Sequence, residues 1–585
     1  MGFDLLMLKA VIMVGCKSKL SACCLSKFNV GKMGLLWVLI MTFAGNISAL
    51  DNGRVRRPQM GWNSWYGNGY EVDLPALKAV ADALISTGLK DKGYNYVWID
   101  AGWQVCPAER DANGTPLSQF SLQGFVDYCH ARGLKPGIYT DTGDDGCGIC
   151  FGSASYIKKD MDFFSTIGFD ALKIDHCGGN PNFTDSQLSY QAFRDAINNR
   201  MDINICIWGI DNVPSWGPET GNSWRTGWDI SNTLKKISWD GVSTGGAGVV
   251  PSFLGALHPA SQGPGAYNDP DYLLIGEHAT GNFGLTSTEQ KSYFTLWCMS
   301  GAPLILGTDP RYASQQTLDI IGNQELIAVD QDSLGRQCNI IANEPEWLEL
   351  NFGAAVTFNR VIVNENFDRV MSFKLETYVG GEWIPLTNGS TIGARKTIDF
   401  TSQTASKVRL YFTSVLNAPS IVEFEAYNNA GPNLALSATA NSSSQWDSNY
   451  HAGMANDGSL STRWNSAAQS TVNTICFTLM KNLQDTLERA VTFFNNTDTN
   501  QTMSVHWADI GLSGKQNVRD LWAHADLGVR ADSFSAIVPS HGVFAMKISK
   551  VEVPTNTGVQ PKPKTPWFKR QKVRLSDILG RLYWK

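Results

Sequence analysis

The chain has 585 residues, of which 43% are hydrophobic and 17% charged, with 19 Trp and 55 Gly. That length calls for more than one core, and that composition excludes a disordered or collagen-like chain. A formal net charge of −6 excludes the dense basic surface of a nucleic-acid binder.

Residues 1–49 carry five Lys and one Asp, which leaves about −10 on the remainder. Within them, MGLLWVLIMTFAGNISA from Met33 to Ala49 follows Lys32 and ends in small residues, the pattern of a signal peptide cleaved after Ala49. Its apolar part, Gly34 to Ala44, is too short to span a bilayer. The expectation is a start at Met33 and a secreted protein with no membrane attachment after cleavage. The stretch ahead of it, with Cys16, Cys23 and Cys24, fits neither fold nor leader. Nine cysteines remain downstream, too thinly spread for a disulfide scaffold. N-x-S/T sites stand at Asn113, Asn182, Asn388, Asn441, Asn495 and Asn500 and permit glycosylation.

From Pro58 to Asp309, short apolar runs alternate with segments of helical periodicity such as LPALKAVADALISTGLKDKG. The eight runs are QMGWNSW, NYVWID, KPGIYTD, ALKID, INICIW, NSWRT, AYNDPD and APLILGTD. Their number and spacing predict an α/β fold, a (β/α)8 TIM barrel over residues 55–335. Trp65, Asp100, Asp141, Asp175, Trp208, Arg225, Asp271 and Asp309 fall at or near the C-terminal ends of the runs, where barrels of this kind place their active sites. A lone Asp after a strand is usually a cap or turn residue, but a ring of acids is not explained that way.

After Leu334 helical periodicity gives way to short strands and Gly, Asn and Ser turns. Two all-β regions are expected, an inserted β-sandwich over 340–470 and an antiparallel β-domain over 474–549. Residues 550–585 begin Pro-rich and turn basic, as a disordered tail does. No metal-ligand spacing and no phosphate or nucleotide loop is present in the sequence, so no cofactor and no metal are expected. No feature specifies the oligomeric state.

Cleaving a glycosidic bond takes two carboxyl groups, roughly 5–5.5 Å apart for retention of configuration or roughly 6.5–9.5 Å for inversion. The segments RRPQMGWNSW, YVWIDAGW, GIYTDTG, LKIDHC, WRTGWDI and YNDPDYL, in that order, resemble glycoside hydrolase family 27, the α-galactosidase and α-N-acetylgalactosaminidase family. The likeness covers residues 57–335 and resumes at 474–549. It implies a carbohydrate substrate, a retaining double displacement, Asp175 of LKIDHC as nucleophile and Asp229 of WRTGWD as acid/base. It further implies sugar contacts by Trp65, Asp100, Tyr139, Lys173, Arg225 and Asp271. Lys173 and Asp175 are two apart on one strand and face the same side, so Lys173 is expected to favour the ionised Asp175. Trp103 reads as packing.

The sequence departs from that family at two carboxylates that read the sugar. Ala101 stands where a second Asp reads the 4-OH and 6-OH of galactose, and Ile207 where a Glu reads the 2-OH. Hydrolysis of an α-glucan or a β-L-arabinopyranoside is therefore an alternative to α-galactosidase activity, and a catalytically silent lectin is the alternative of another class. The resemblance pairs Cys147 with Cys177, and leaves Cys106 and Cys150 as a second pair. Residues 345–428 and 432–466 resemble the second and first halves of a discoidin-like module (coagulation factor type C). Two arrangements stay open, one circularly permuted sandwich or two truncated copies, and so do two roles, glycan targeting or a passive spacer. The His of VPSHGV reads as a turn residue.

Overall fold

The computed structural model describes residues 49–551, apart from 51, 180–182, 184, 232, 242–245, 342–345, 368, 416–417, 468–475 and 486. The expected leader up to residue 48, the tail from 552 and the site at Asn182 lie outside the described residues.

All eight apolar runs form strands: β1 (Met60–Asn63), β2 (Tyr96–Trp98), β3 (Lys135–Asp141), β4 (Ala171–Asp175), β5 (Asp202–Cys206), β6 (Ser223–Arg225), β7 (Tyr267–Asp269) and β8 (Leu304–Leu306). They make one parallel sheet in the order β8-β1-β2-β3-β4-β5-β6-β7. Leu273, just past β7, bridges Leu306 in parallel and curls the sheet shut. Its N–H donates to Ile305 O at 2.8 Å, and its carbonyl accepts from Gly307 N–H at 2.9 Å. Covered on both sides, the strands are almost wholly buried, the polar members of ALKID and DINIC included.

Connecting helices obey the expected periodicity. Helix Leu74–Ser86 starts at Asp73, whose carboxylate accepts from Ala76 N–H at 2.6 Å. It buries Leu77, Val80, Ala81 and Leu84, the i, i+3, i+4, i+7 stripe of an amphipathic helix.

The β regions differ from expectation in where they divide. The insertion was expected from residue 340, but strand β9 (Asn339–Ile341) pairs antiparallel with β17 (Cys476–Asn482), Asn339 facing Met480. The C-terminal domain therefore begins before the insertion, and the insertion sits in the connection between two of its paired strands. Strands β10 (Trp347–Glu365), β11 (Val370–Val379), β12 (Glu382–Ser390), β13 (Lys396–Val415), β14 (Ser420–Tyr427), β15 (Thr439–Ser442) and β16 (Trp464–Asn465) form one sheet system. Leu348, Val361, Leu410, Phe424, Ala455 and Trp464 share one core, and Trp464 stacks on Phe412 at 6.0 Å. Both halves of the insertion thus fold as a single unit, not as two fragments.

In the C-terminal sheet, β18 (Glu488–Asn495) shows how one strand serves two cores. Ala490 and Phe494 join the barrel's core, while Val491 and Phe493 face a separate cluster with Trp507. Alternation along the strand dictates that split. His541 bears out the structural reading of VPSHGV. Its Nδ1 lies 2.9 Å from Glu289 Oε1, at the capped start of helix Ser287–Ser300, and its ring stacks on Trp239. Asn495 corrects the glycosylation reading. It is fully buried, and its amide donates to Thr499 O, Val538 O and Pro539 O at 2.8–3.0 Å, so it has no room for a glycan.

Asp330 is buried where the barrel meets this domain, and one of its oxygens finds no hydrogen-bond partner. Burial pushes its carboxyl up to about 8, against the pull of Lys481, whose ammonium burial pushes down. The folded protein holds the Asp330 proton that the unfolded chain releases near its ordinary value of about 4. The unfolded state then binds fewer protons, so this group's contribution to stability falls as pH rises from about 4 to about 8. Asp330→Asn, neutral throughout, is expected to gain on the wild type between those limits. Urea unfolding midpoints at both pH values measure the shift, and a difference that stays constant would contradict it.

Candidate active site

The C-terminal ends of the strands surround a cavity of about 110 Å³. Pockets for drug-sized ligands run to roughly 300–1,000 Å³, so this one is small. Trp65, Asp100, Lys173, Asp175, Arg225, Asp229 and Asp271 all line it, as do Cys147 and Cys177. Of the expected contact residues only Tyr139 does not.

On one side the cavity is built around Lys173. The ammonium lies 2.8 Å from Asp100 Oδ2 and 3.4 Å from Asp175 Oδ1. Burial alone would lower Lys173, but the two carboxylates outweigh it and hold the ammonium well above its ordinary value. Asp100 is itself fixed: Oδ2 also accepts from Asn63 Nδ2 at 2.8 Å, and its backbone N–H donates to Ser64 Oγ at 2.9 Å. For Asp175, burial outweighs the attraction of Lys173 and, with Asp100 and Asp141 adding repulsion, pushes the carboxyl up to about 7. The expected help from Lys173 is present, but it is shared with Asp100. Asp175 Oδ1 is buried and, beyond the ion pair to Lys173, makes no hydrogen bond.

On the other side Arg225 repeats the pattern. Its Nη2 lies 3.0 Å from Asp229 Oδ1 and 3.1 Å from Asp271 Oδ2, and donates to Gly227 O at 3.3 Å. Burial would lower this guanidinium too, but Asp271, Cys206 and Asp229 raise it well above its ordinary value. Asp271 has a positive φ of 94°. Its Oδ2 accepts from Ile230 N–H at 2.8 Å and its Oδ1 from Tyr272 N–H at 2.8 Å, so this carboxylate chiefly anchors Arg225 and the segment after Asp229. Burial pushes its carboxyl up to about 6 despite Arg225. Asp229 differs from the other acids in keeping 43% of its side chain exposed.

Both expected disulfides form, Cys147–Cys177 with Cα atoms 5.1 Å apart and Cys106–Cys150 with 5.7 Å. The first lies against the acid at the end of β4, Cys147 Sγ being 3.3 Å from Asp175 Oδ2. Tyr139 sits beneath it, fully buried, its hydroxyl accepting from Cys147 N–H at 3.0 Å. The ring was expected to touch sugar; here it supports the disulfide loop. Asp141 has a similar place, accepting from Gly143 N–H at 2.7 Å and Cys177 N–H at 2.9 Å. Asp309, the last of the strand-end acids, turns to Arg311 at 2.6 Å and stays out of the cavity.

Ala101 lines the wall, whereas Ile207 does not: it is fully buried in the barrel core. Cys206 and Trp208 take the place in the wall. Burial pushes the Cys206 thiol well up, so it stays protonated, and its S–H reaches Asp175 while Arg225 Nη1 stands 3.8 Å from the sulfur. The wall there is a thiol, not an aliphatic side chain. Tyr66 and Tyr272 also line the cavity and were not singled out from the sequence. Their only signal was adjacency to Trp65 and Asp271.

The family profile described as alpha galactosidase A matches residues 58–332, and that of the alpha galactosidase C-terminal beta sandwich domain matches 478–548. Alpha-galactosidase 3 of Arabidopsis thaliana is 38% identical over 295 residues, 49% of this chain and 63% of that protein. Alpha-galactosidase of Oryza sativa subsp. japonica is 36% identical over 327 residues, 54% of this chain and 72% of that protein. Alpha-galactosidase I from Mortierella vinacea, a solved structure, superposes with a TM-score of 0.57 at 24% identity, over 85% of this chain and 98% of that one. With its strand-end acids around one small cavity, and with these matches on both sides of the insertion, the chain belongs to the α-galactosidase family of glycoside hydrolases.

Proposed function

We propose that the protein is a secreted, retaining α-galactosidase that removes terminal α-linked galactose from oligo- or polysaccharides, with Asp175 as nucleophile and Asp229 as general acid/base. The observation that carries this reading is the contrast between two aspartates on one small cavity. Asp175 is enclosed and held by Lys173; Asp229 is held by Arg225 but keeps 43% of its side chain open. An acid/base must meet both the leaving group and the incoming water, which a partly exposed carboxyl can, while the nucleophile has only to reach the anomeric carbon. Asp175 attacks the anomeric carbon as the bond to the leaving oxygen breaks and Asp229 gives that oxygen its proton. Asp229 then takes a proton from the incoming water, which displaces Asp175 from the sugar. Secretion is supported by the leader-like segment 33–49 and by two disulfides, which persist in oxidising compartments.

A second sugar is favoured by Ala101 in the wall. β-L-arabinopyranose has the ring stereochemistry of α-D-galactose without the C6 hydroxymethyl group, so it loses least where no carboxylate reads that group. Nitrophenyl α-galactoside and β-L-arabinopyranoside, assayed side by side, rank the two; turnover of neither, with glycan binding kept, would favour the lectin. For the insertion we take the discoidin-like reading, on its NLAL opening and its TRW segment. The exposed Trp446 supports a glycan-targeting role.

Proton NMR of the first-formed galactose is expected to show the α anomer, and the β anomer would overturn the retaining mechanism. Asp175→Asn and Asp229→Asn are each expected to lower kcat/KM on a natural galactoside by about 10³-fold or more. Wild-type rates in either variant would remove that residue from its role.

The pH profile tests Lys173. Asp175 attacks only when ionised, so kcat/KM falls as pH drops through its raised value of about 7. Lys173→Met removes the charge that opposes burial, and the acidic limb is expected to move to higher pH. A limb that stays in place while the amplitude drops would leave Lys173 with sugar binding alone.

A further inference from the structure

We propose that Trp208 and Trp228 form a stacking platform for the ring on the leaving-group side of the scissile bond. The site would then select galactosides whose leaving group is itself a flat-faced sugar. The proposal rests on the reading of Asp229 as acid/base, because an acid/base touches the leaving oxygen and its outward neighbours flank the leaving group. Trp228 directly precedes Asp229 and is 61% exposed. Trp208 lines the cavity wall at the end of β5. The two indoles lie nearly parallel, 18° apart, with centroids separated by 6.2 Å. The pair therefore leads from the cavity wall into solvent beside the acid/base.

The platform is set by backbone, not by chance rotamers. Trp208 adopts a positive φ of 50°, a conformation that bulky L-residues rarely take and that persists only where the surroundings impose it. Gly209 follows with φ 78°, packed so tightly that a Cβ would stand 2.1 Å from Thr226 O. Its N–H donates to Arg225 O at 3.1 Å, and the Arg225 guanidinium donates to Gly227 O at 3.3 Å. The segments carrying both tryptophans are thus pinned around the arginine that holds Asp229. Indole faces present a rigid apolar surface with little entropy to lose, which suits the C–H face of a pyranose.

The test compares kcat/KM for raffinose, whose leaving group is a saccharide, with kcat/KM for methyl α-D-galactopyranoside. Trp228→Ala is expected to lower the raffinose-to-methyl ratio about tenfold, through KM, and Trp228→Phe to keep most of it. A ratio within twofold of wild type in Trp228→Ala, or a fall carried by kcat alone, would overturn the platform. A wild type that cleaves neither compound counts against the galactosidase reading instead. The same ratio is then taken with the methyl glycoside and the disaccharide of whichever sugar the wild type does cleave.

Discussion

Lys173 and Arg225 are enclosed in the mouth of the barrel, and each holds two carboxylates within 3.4 Å. Taking three acids (Asp100, Asp175 and Asp271) and two cations out of water costs several kcal/mol per ion, which attraction offsets only where geometry is tight and the remaining lone pairs are satisfied. Most of the local structure follows from meeting that condition. Asn63 and Ser64 fix Asp100, Ile230 and Tyr272 donate their backbone N–H groups to Asp271, and Gly227 turns its carbonyl to Arg225. Where the condition is not met, the shortfall is at Asp175 Oδ1 and Arg225 Nε. Asp175 Oδ1 keeps only the ion pair to Lys173 at 3.4 Å, and burial raises its carboxyl to about 7.

The barrel was legible because parallel strands covered on both sides are rich in apolar residues, even where polar ones alternate with them as in β4 and β5. The acids were legible because they follow those runs. What escaped was parity. Motif order placed Ile207 in the pocket, yet Asn204 and Cys206 share one side of β5, while Ile203, Ile205 and Ile207 share the core-facing side. Period-two alternation carried that information, and the resemblance overrode it. Tyr139 escaped for another reason. It projects from β3 toward the same end as the acids, but the Cys147–Cys177 loop closes over it, and a loop's path is not written in strand periodicity.

The β regions show the same limit at larger scale. Three residues, Asn339–Ile341, are too few to announce a strand, and their partner Met480 lies beyond the whole insertion. Only the pairing reveals that the insertion occupies a connection between antiparallel neighbours, where both its ends leave from one place. A module with its own core can enter such a site with few contacts disturbed, because the strands on either side still pair. The insertion's core, closed by Trp464 on Phe412, meets that requirement.

The charge network also decides which residues are free to set specificity. Asp100, Lys173, Arg225 and Asp271 each bind at least two other groups, so changing one disturbs the placement of the others. Ala101, Cys206, Trp208 and Trp228 touch the cavity or its rim without holding a cation in place by ion pairing. An apolar wall at Ala101 makes no demand on the network, yet it alters which hydroxyls find partners, and an unmatched hydroxyl is penalised more heavily than a missing methylene. On the proposed roles, bond cleavage and the freedom to vary sugar choice belong to different residues of one cavity. The first is constrained by buried charge, and the second by whichever side chains that charge leaves unbound.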